Sequence, residues 1–132
     1  MNTNNKQTCG SEVILKDLSF QIMAAAFEVH NVLGSGFLEN VYEKALLTEL
    51  HLRETKAESQ RPVQVFYKCK EVGSYFPDIV VNDEVIIELK AVDKLSTIHE
   101  AQVLNYLKAT GMKLGLLINF GREKVEFKRL VL

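Results

Sequence analysis

Tryptophan is absent from this chain, cysteine and proline occur twice each, and histidine three times. Cys9 and Cys69 are too few for a disulfide framework or a zinc-ligand pair, so the expected compartment is the reducing cytoplasm. His30, His51 and His99 stand at no spacing that builds a zinc site. Long apolar runs are also missing. The strongest in the first half, residues 22–27, is far shorter than the roughly 20 residues that cross a bilayer. Residues 1–10 are polar and lack a signal-peptide core, and they are read as a disordered polar tail. A large charge excess is missing too: the net charge is −1. That excludes a strongly basic coat for nucleic acid and leaves room for a local basic cleft. Residues 1–60 hold five Lys/Arg against eight Asp/Glu, residues 61–132 eleven against nine. A polyanion is better placed on the C-terminal half, ordinary solvated faces being the plainer alternative.

What is present fits one domain over residues 11–132. The 132 residues are 47% hydrophobic and 25% charged, which matches an ordinary globular chain long enough to bury a core without staples. Leu18, Ile22, Ala25, Ala26, Val29 and Leu33 recur at helical spacing, and Gly34 is placed to cap that helix. A second helix is expected from about Phe37 to Glu54. Val63–Tyr67 alternates like a strand, and residues 72–81 and 85–92 read as two arms of a hairpin. Thr97 and Glu100 form an expected capping box for a third helix, which Gly111 closes. Residues 114–120 are continuously apolar, as in a strand covered on both faces, and residues 125–132 alternate as a last strand. The order α-α-β-β-β-α-β-β predicts an α/β fold, a mixed sheet flanked by helices.

The hairpin carries the chemistry. Around Asp83 the pattern is symmetric, three aliphatics on either side of Asn82, Asp83 and Glu84, which predicts a three-residue turn. In that register Val81 faces Val85 and Asp78 falls opposite Glu88, where cross-strand Cβ atoms lie about 5 Å apart. Glu88 and Lys90 share a face because strand side chains repeat every two residues. Two adjacent carboxylates on a half-buried hairpin repel unless a cation stands between them. Lys90 supplies part of that charge, and a hard divalent ion such as Mg²⁺ would supply more. A solvated edge hairpin with a structural Glu–Lys pair is the plainer alternative.

Pro77-Asp78 followed by Glu88-Leu89-Lys90 resembles the defining motif of the PD-(D/E)XK nuclease superfamily. Gln102 through Tyr106 resembles the QxxxY motif of its RecB-like branch. Gly36-Phe37-Leu38-Glu39-Asn40-Val41-Tyr42 resembles the motif that names the GxxExxY family of the same superfamily, and the segments 101–107 and 115–121 are similar to it as well. The resemblance runs from about Leu15 to the C-terminus and implies a restriction-endonuclease-like sheet. It implies a Mg²⁺-dependent nuclease (Mn²⁺ as substitute) hydrolysing phosphodiester bonds of DNA. Asp78, Glu88 and Lys90 would be catalytic, and the metal ligands would be Asp78, Glu88 and the backbone carbonyl of Leu89. Lys90 would orient the attacking water. Glu39 stands where many members place an acidic residue that completes the metal site; a first-turn glutamate also simply favours the helix dipole. Gln102 and Tyr106, i and i+4 on one helix face, would bind substrate or support the carboxylates, and Tyr42 would do so or pack at the site's edge. Gln60 and Pro62 also match the family pattern. Lys108, Lys113, Lys124, Lys128 and Arg129 could meet a nucleic-acid backbone, or serve solubility alone. A homodimer would offer one site to each strand of a duplex. The alternative is a non-catalytic nucleic-acid-binding or homodimeric interaction module that retains the fold.

Overall fold

The apolar stripe read along residues 15–33 lies on one side of helix α1 (Thr3–Leu33) in the computed structural model, which describes the backbone of residues 3–132 and the side chains from Leu15 onward. Residues 3–10, expected as part of a disordered polar tail, have their backbone in the first turns of α1, and residues 1–2 lie outside the described residues. Gly34 ends α1 at φ +72°, a left-handed conformation that costs glycine little, and its N–H returns to His30 O at 2.8 Å. Helix α2 (Glu39–Leu52) follows. Then come strands β1 (Ala57–Ser59), β2 (Val63–Tyr67), β3 (Lys70–Tyr75), β4 (Ile79–Val81) and β5 (Val85–Lys90), helix α3 (Thr97–Thr110), and strands β6 (Leu114–Asn119) and β7 (Glu126–Val131).

The expected succession of helices and strands is present, with two refinements. The first hairpin arm is not continuous. Proline has no N–H to give a ladder, and at Phe76-Pro77 the chain leaves β3, which pairs back on β2 as a separate two-stranded sheet. The short β1 pairs with β4 and forms one edge of the main sheet, ordered β1-β4-β5-β6-β7. No long apolar run marks β1; only Ala57 of its three residues is buried.

Strand alternation decides which helix covers which side chain. Ile79, Val81, Val85, Ile87 and Leu89 pack with Leu114, Leu116 and Ile118 under α1 and α2. Val80 and Ile86 point to the opposite face, against Tyr106 and Leu107 of α3. Helix α3 connects the parallel strands β5 and β6, the crossover that parallel neighbours need. It sits close: a Cβ on Gly115 would lie 2.4 Å from Val103 Cγ1. The cap of α3 differs from the expectation. Ser96, one residue earlier than Thr97, is the N-cap; its Oγ accepts from His99 N–H, and His99 Nδ1 accepts from Ser96 N–H. The imidazole thus fills the reciprocal position expected of Glu100, whose carboxylate instead meets Lys128 at 2.9 Å. Among the described residues no helix is long and apolar enough to cross a membrane.

Candidate active site

The three-residue turn forms as the symmetric pattern predicts. Val81 pairs with Val85 and Ile79 with Ile87, Glu84 N–H donates to Val81 O at 2.9 Å, and Asn82 and Asp83 take the positive φ angles of 53° and 56° that their short polar side chains tolerate. Lys56 (3.1 Å) and Arg61 both bond the Asp83 carboxylate and tie the turn to the chain around β1. That register sets Asp78 opposite Glu88, one step beyond the last ladder pair.

At that step the side chains replace the ladder. Asp78 N–H donates to Glu88 Oε1 at 2.9 Å, and Leu89 N–H donates to Asp78 Oδ2 at 2.7 Å. Each carboxylate therefore commits one oxygen to the opposite strand's backbone, which fixes both in place. Lys90 O accepts from Phe120 N–H on the β6 side. By alternation, the peptide groups of Leu89 face the β4 side, where β4 has already ended. The Leu89 carbonyl thus points to the same edge as Asp78.

Glu88 is 4% exposed. Burial, then the charge of Asp78, pushes its carboxyl up to about 8, against the opposing pull of the Asp78 N–H and Lys90; Glu39 adds a further raising charge. One more acid belongs to this cluster, and the sequence reading missed it. Glu43, one turn along α2 from Glu39, is pushed up to about 7 by burial and by hydrogen bonding and charge from Asp78, while a hydrogen bond from Gln60 pulls the other way. Gln60 thereby acquires a physical role. Its backbone sits at φ +58°, a conformation costly for a residue with a Cβ, and its amide reaches the Glu43 carboxyl. The signal for Glu43 was in the sequence, four residues beyond Glu39 on the same helix face. Which of the two meets the hairpin depends on how α2 is rotated against the sheet.

The other candidates divide. Glu39 is exposed in the first turn of α2 and reaches the cluster only through its charge. Tyr42 is fully buried and faces the core: its hydroxyl donates to Gly34 O at 2.6 Å and accepts from Phe37 N–H at 3.2 Å, and its ring stacks on Phe120 at 4.7 Å. It holds the loop that enters α2. Gln102 donates to the Tyr106 hydroxyl at 3.1 Å, so the two form a unit across one turn of α3. The Tyr106 phenol is raised first by burial and then by the charge of Glu88, with Asp78 adding to it. The pair therefore rims the carboxylates. Among the described residues no three His, Cys, Asp or Glu side chains cage an ion by themselves. A hard ion such as Mg²⁺ needs only one or two carboxylates and fills its remaining positions with waters and substrate oxygens. The donor set of Asp78, Glu88 and the Leu89 carbonyl is all oxygen, and the buried, mutually repelling carboxylates fit such an ion.

The sequence profile of the PD-(D/E)XK nuclease superfamily matches residues 16–130, nearly the whole chain. The chain belongs to the PD-(D/E)XK nuclease superfamily. Among solved structures, the crystal structure of SSO0001 is similar over 70% of this chain, at 16% identity and a TM-score of 0.58, a likeness of fold. The aligned part spans 48% of that structure's length. No curated protein matches the chain. Superfamily members are usually nucleases that use divalent metals.

Proposed function

We propose that this PD-(D/E)XK protein is a Mg²⁺-dependent nuclease of the GxxExxY group and RecB-like branch, hydrolysing phosphodiester bonds of DNA in the cytoplasm. The observation that carries the reading is the reciprocal Asp78–Glu88 bonding, with a buried glutamate beside Lys90. A surface hairpin gains nothing in stability from burying a glutamate against an aspartate, since burial and the aspartate's charge both raise the glutamate's cost of ionising. A site that must hold a cation gains from that arrangement.

Asp78, Glu88 and the Leu89 carbonyl would hold the ion, with Glu43 as the helix carboxylate in place of Glu39. When bound, the ion acidifies a water and offsets charge on the phosphate oxygens. The chain's own groups do the rest. Backbone amides fix the two hairpin carboxylates before substrate arrives, so no reorganisation is needed at the reacting centre. Lys90, on the same face as Glu88, orients the attacking water and offsets the negative charge that builds on the phosphorus centre. Without the ion, Glu43 is pushed up to about 7 by burial and by Asp78, a cost of ionising that a bound cation would offset. Gln102 and Tyr106 present an amide and a hydroxyl at the rim, suited to a phosphate oxygen or a sugar.

The test is cleavage of linear, circular and single-stranded DNA, and of RNA, by purified protein with Mg²⁺, with Mn²⁺ and with EDTA. Cutting with metal that EDTA stops and that Asp78→Ala and Lys90→Ala abolish is the expected result. No cutting of any substrate, or undiminished cutting by both variants, overturns it in favour of a binding module that keeps the fold.

A further inference from the structure

The β2–β3 hairpin is unusual in what it leaves outside. A two-stranded sheet is marginal by itself, yet of its strand residues only Val63 is buried. Phe66, Tyr67, Val72, Tyr75 and the following Phe76 are all half or more exposed. Exposed aromatics grouped so closely mark a contact surface. The hairpin is also basic in a chain that is not. Arg61, Lys68 and Lys70 stand against Glu71 over residues 61–76, while the whole chain carries −1. Between this hairpin and α3 runs a cleft of about 480 Å³. Its aromatic walls are Phe66, 60% exposed, and Tyr75, 50% exposed. Gln64 and Asn105 bring amides to it and Lys108 a cation.

The cleft leads to the acids. The Tyr75 ring lies 5.8 Å from the ring of Tyr106, whose hydroxyl accepts from Gln102 and feels the charges of Glu88 and Asp78. Only Phe76 and Pro77 separate Tyr75 from Asp78 in the chain. An aromatic wall, amides that can meet the edge of a base and an ammonium for its phosphate together describe the chemistry of an unpaired nucleotide. Stacking of this kind needs a base whose face is free, which a duplex interior does not offer. We infer that the cleft between the β2–β3 hairpin and α3 seats an unpaired nucleobase between Phe66 and Tyr75, so that the site acts on single-stranded rather than fully paired nucleic acid. The inference rests on the nuclease reading above and names the substrate form of that site.

The test is fluorescence anisotropy of the full chain in EDTA, where metal-dependent cutting is blocked, with a labelled single-stranded oligonucleotide and with its duplex. Wild type is expected to bind the single strand more tightly. Phe66→Ala and Tyr75→Ala are each expected to weaken that binding by about 10-fold, within the range found when a stacking ring is removed. Tyr75→Phe keeps the ring and should restore most of the loss, and binding of the duplex should stay within about twofold throughout. Lys108→Ala should lower the salt dependence by about one phosphate contact. Unchanged single-strand affinity in both alanine variants, or an equal loss on the duplex, overturns the inference. So does a dimer in sedimentation that either alanine variant turns into a monomer, since the rings would then cover a protein interface. The two readings fail separately. If Asp78→Ala abolishes cutting while the alanine variants bind normally, only the base cleft falls; if Asp78→Ala and Lys90→Ala cut undiminished, the nuclease site falls.

Discussion

Replacing Glu88 by glutamine should make the metal-free protein more stable at alkaline pH and leave it nearly unchanged at acid pH. The folded protein raises the Glu88 carboxyl from an ordinary 4.5 to about 8. A group whose pKa is raised by folding holds its proton more tightly when folded. Its contribution is therefore fully present below about pH 4.5 and is lost as the pH rises through about 8. At about 1.4 kcal/mol per unit, the full loss is on the order of 5 kcal/mol, a large share of the roughly 5–15 kcal/mol that holds a domain folded. Glutamine has nearly the same shape, carries no charge, and can still accept the Asp78 N–H through its amide oxygen. Urea unfolding followed by circular dichroism, in EDTA at pH 5, 7 and 9, measures the difference between the two proteins directly. Glu43 titrates in both, so the difference isolates Glu88. Wild type should fall several kcal/mol behind Glu88→Gln between pH 5 and 9. Adding Mg²⁺ at pH 8 should close more than half of that gap, because an ion that binds the folded state at 100 times its Kd adds about 2.7 kcal/mol. A difference that stays constant across pH would refute the reasoning, since the buried carboxylate would then carry no penalty.

The two acids of α2 separate in cleavage assays: Glu43→Gln should lower metal-dependent cleavage by about 100-fold, whereas Glu39→Gln should cost only a few-fold, as expected of a charge at a distance. Tyr42→Phe should destabilise the chain by about 1–2 kcal/mol in urea, because Gly34 O loses its donor, and should leave kcat unchanged. Gly115→Ala should cost about 1–3 kcal/mol in the same measurement, the new methyl having to displace Val103 or shift α3. Gly121→Ala is expected to be worse, since the added Cβ would meet rigid backbone at Val92 rather than a side chain, and its Tm should fall the furthest of these variants.

The sequence by itself determined the features that are local and periodic. The symmetric pattern in residues 77–90 set the turn, the register and the common face of Asp78, Glu88 and Lys90, because a one-residue slip would have turned every side chain of an arm to the opposite face. The apolar run of residues 114–120 announced a buried strand, and the spacing of Gln102 and Tyr106 placed both on one side of α3. What it left open were choices between equivalent local options. Thr97 with Glu100 and Ser96 with His99 are both serviceable caps, and in the fold Glu100 goes to Lys128 of β7 while Ser96 and His99 form the cap. Pro77 allowed a bend or an edge position, and only the pairing of β3 with β2 decided for a separate hairpin. Glu39 and Glu43 lie on one helical stripe. The rotation of α2, fixed by Tyr42 stacking on Phe120, turns Glu43 toward Asp78 and leaves Glu39 in water. Tertiary packing alone decided which carboxylates meet, because contacts between residues 35 positions apart are chosen by the cores around them and not by the spacing between them.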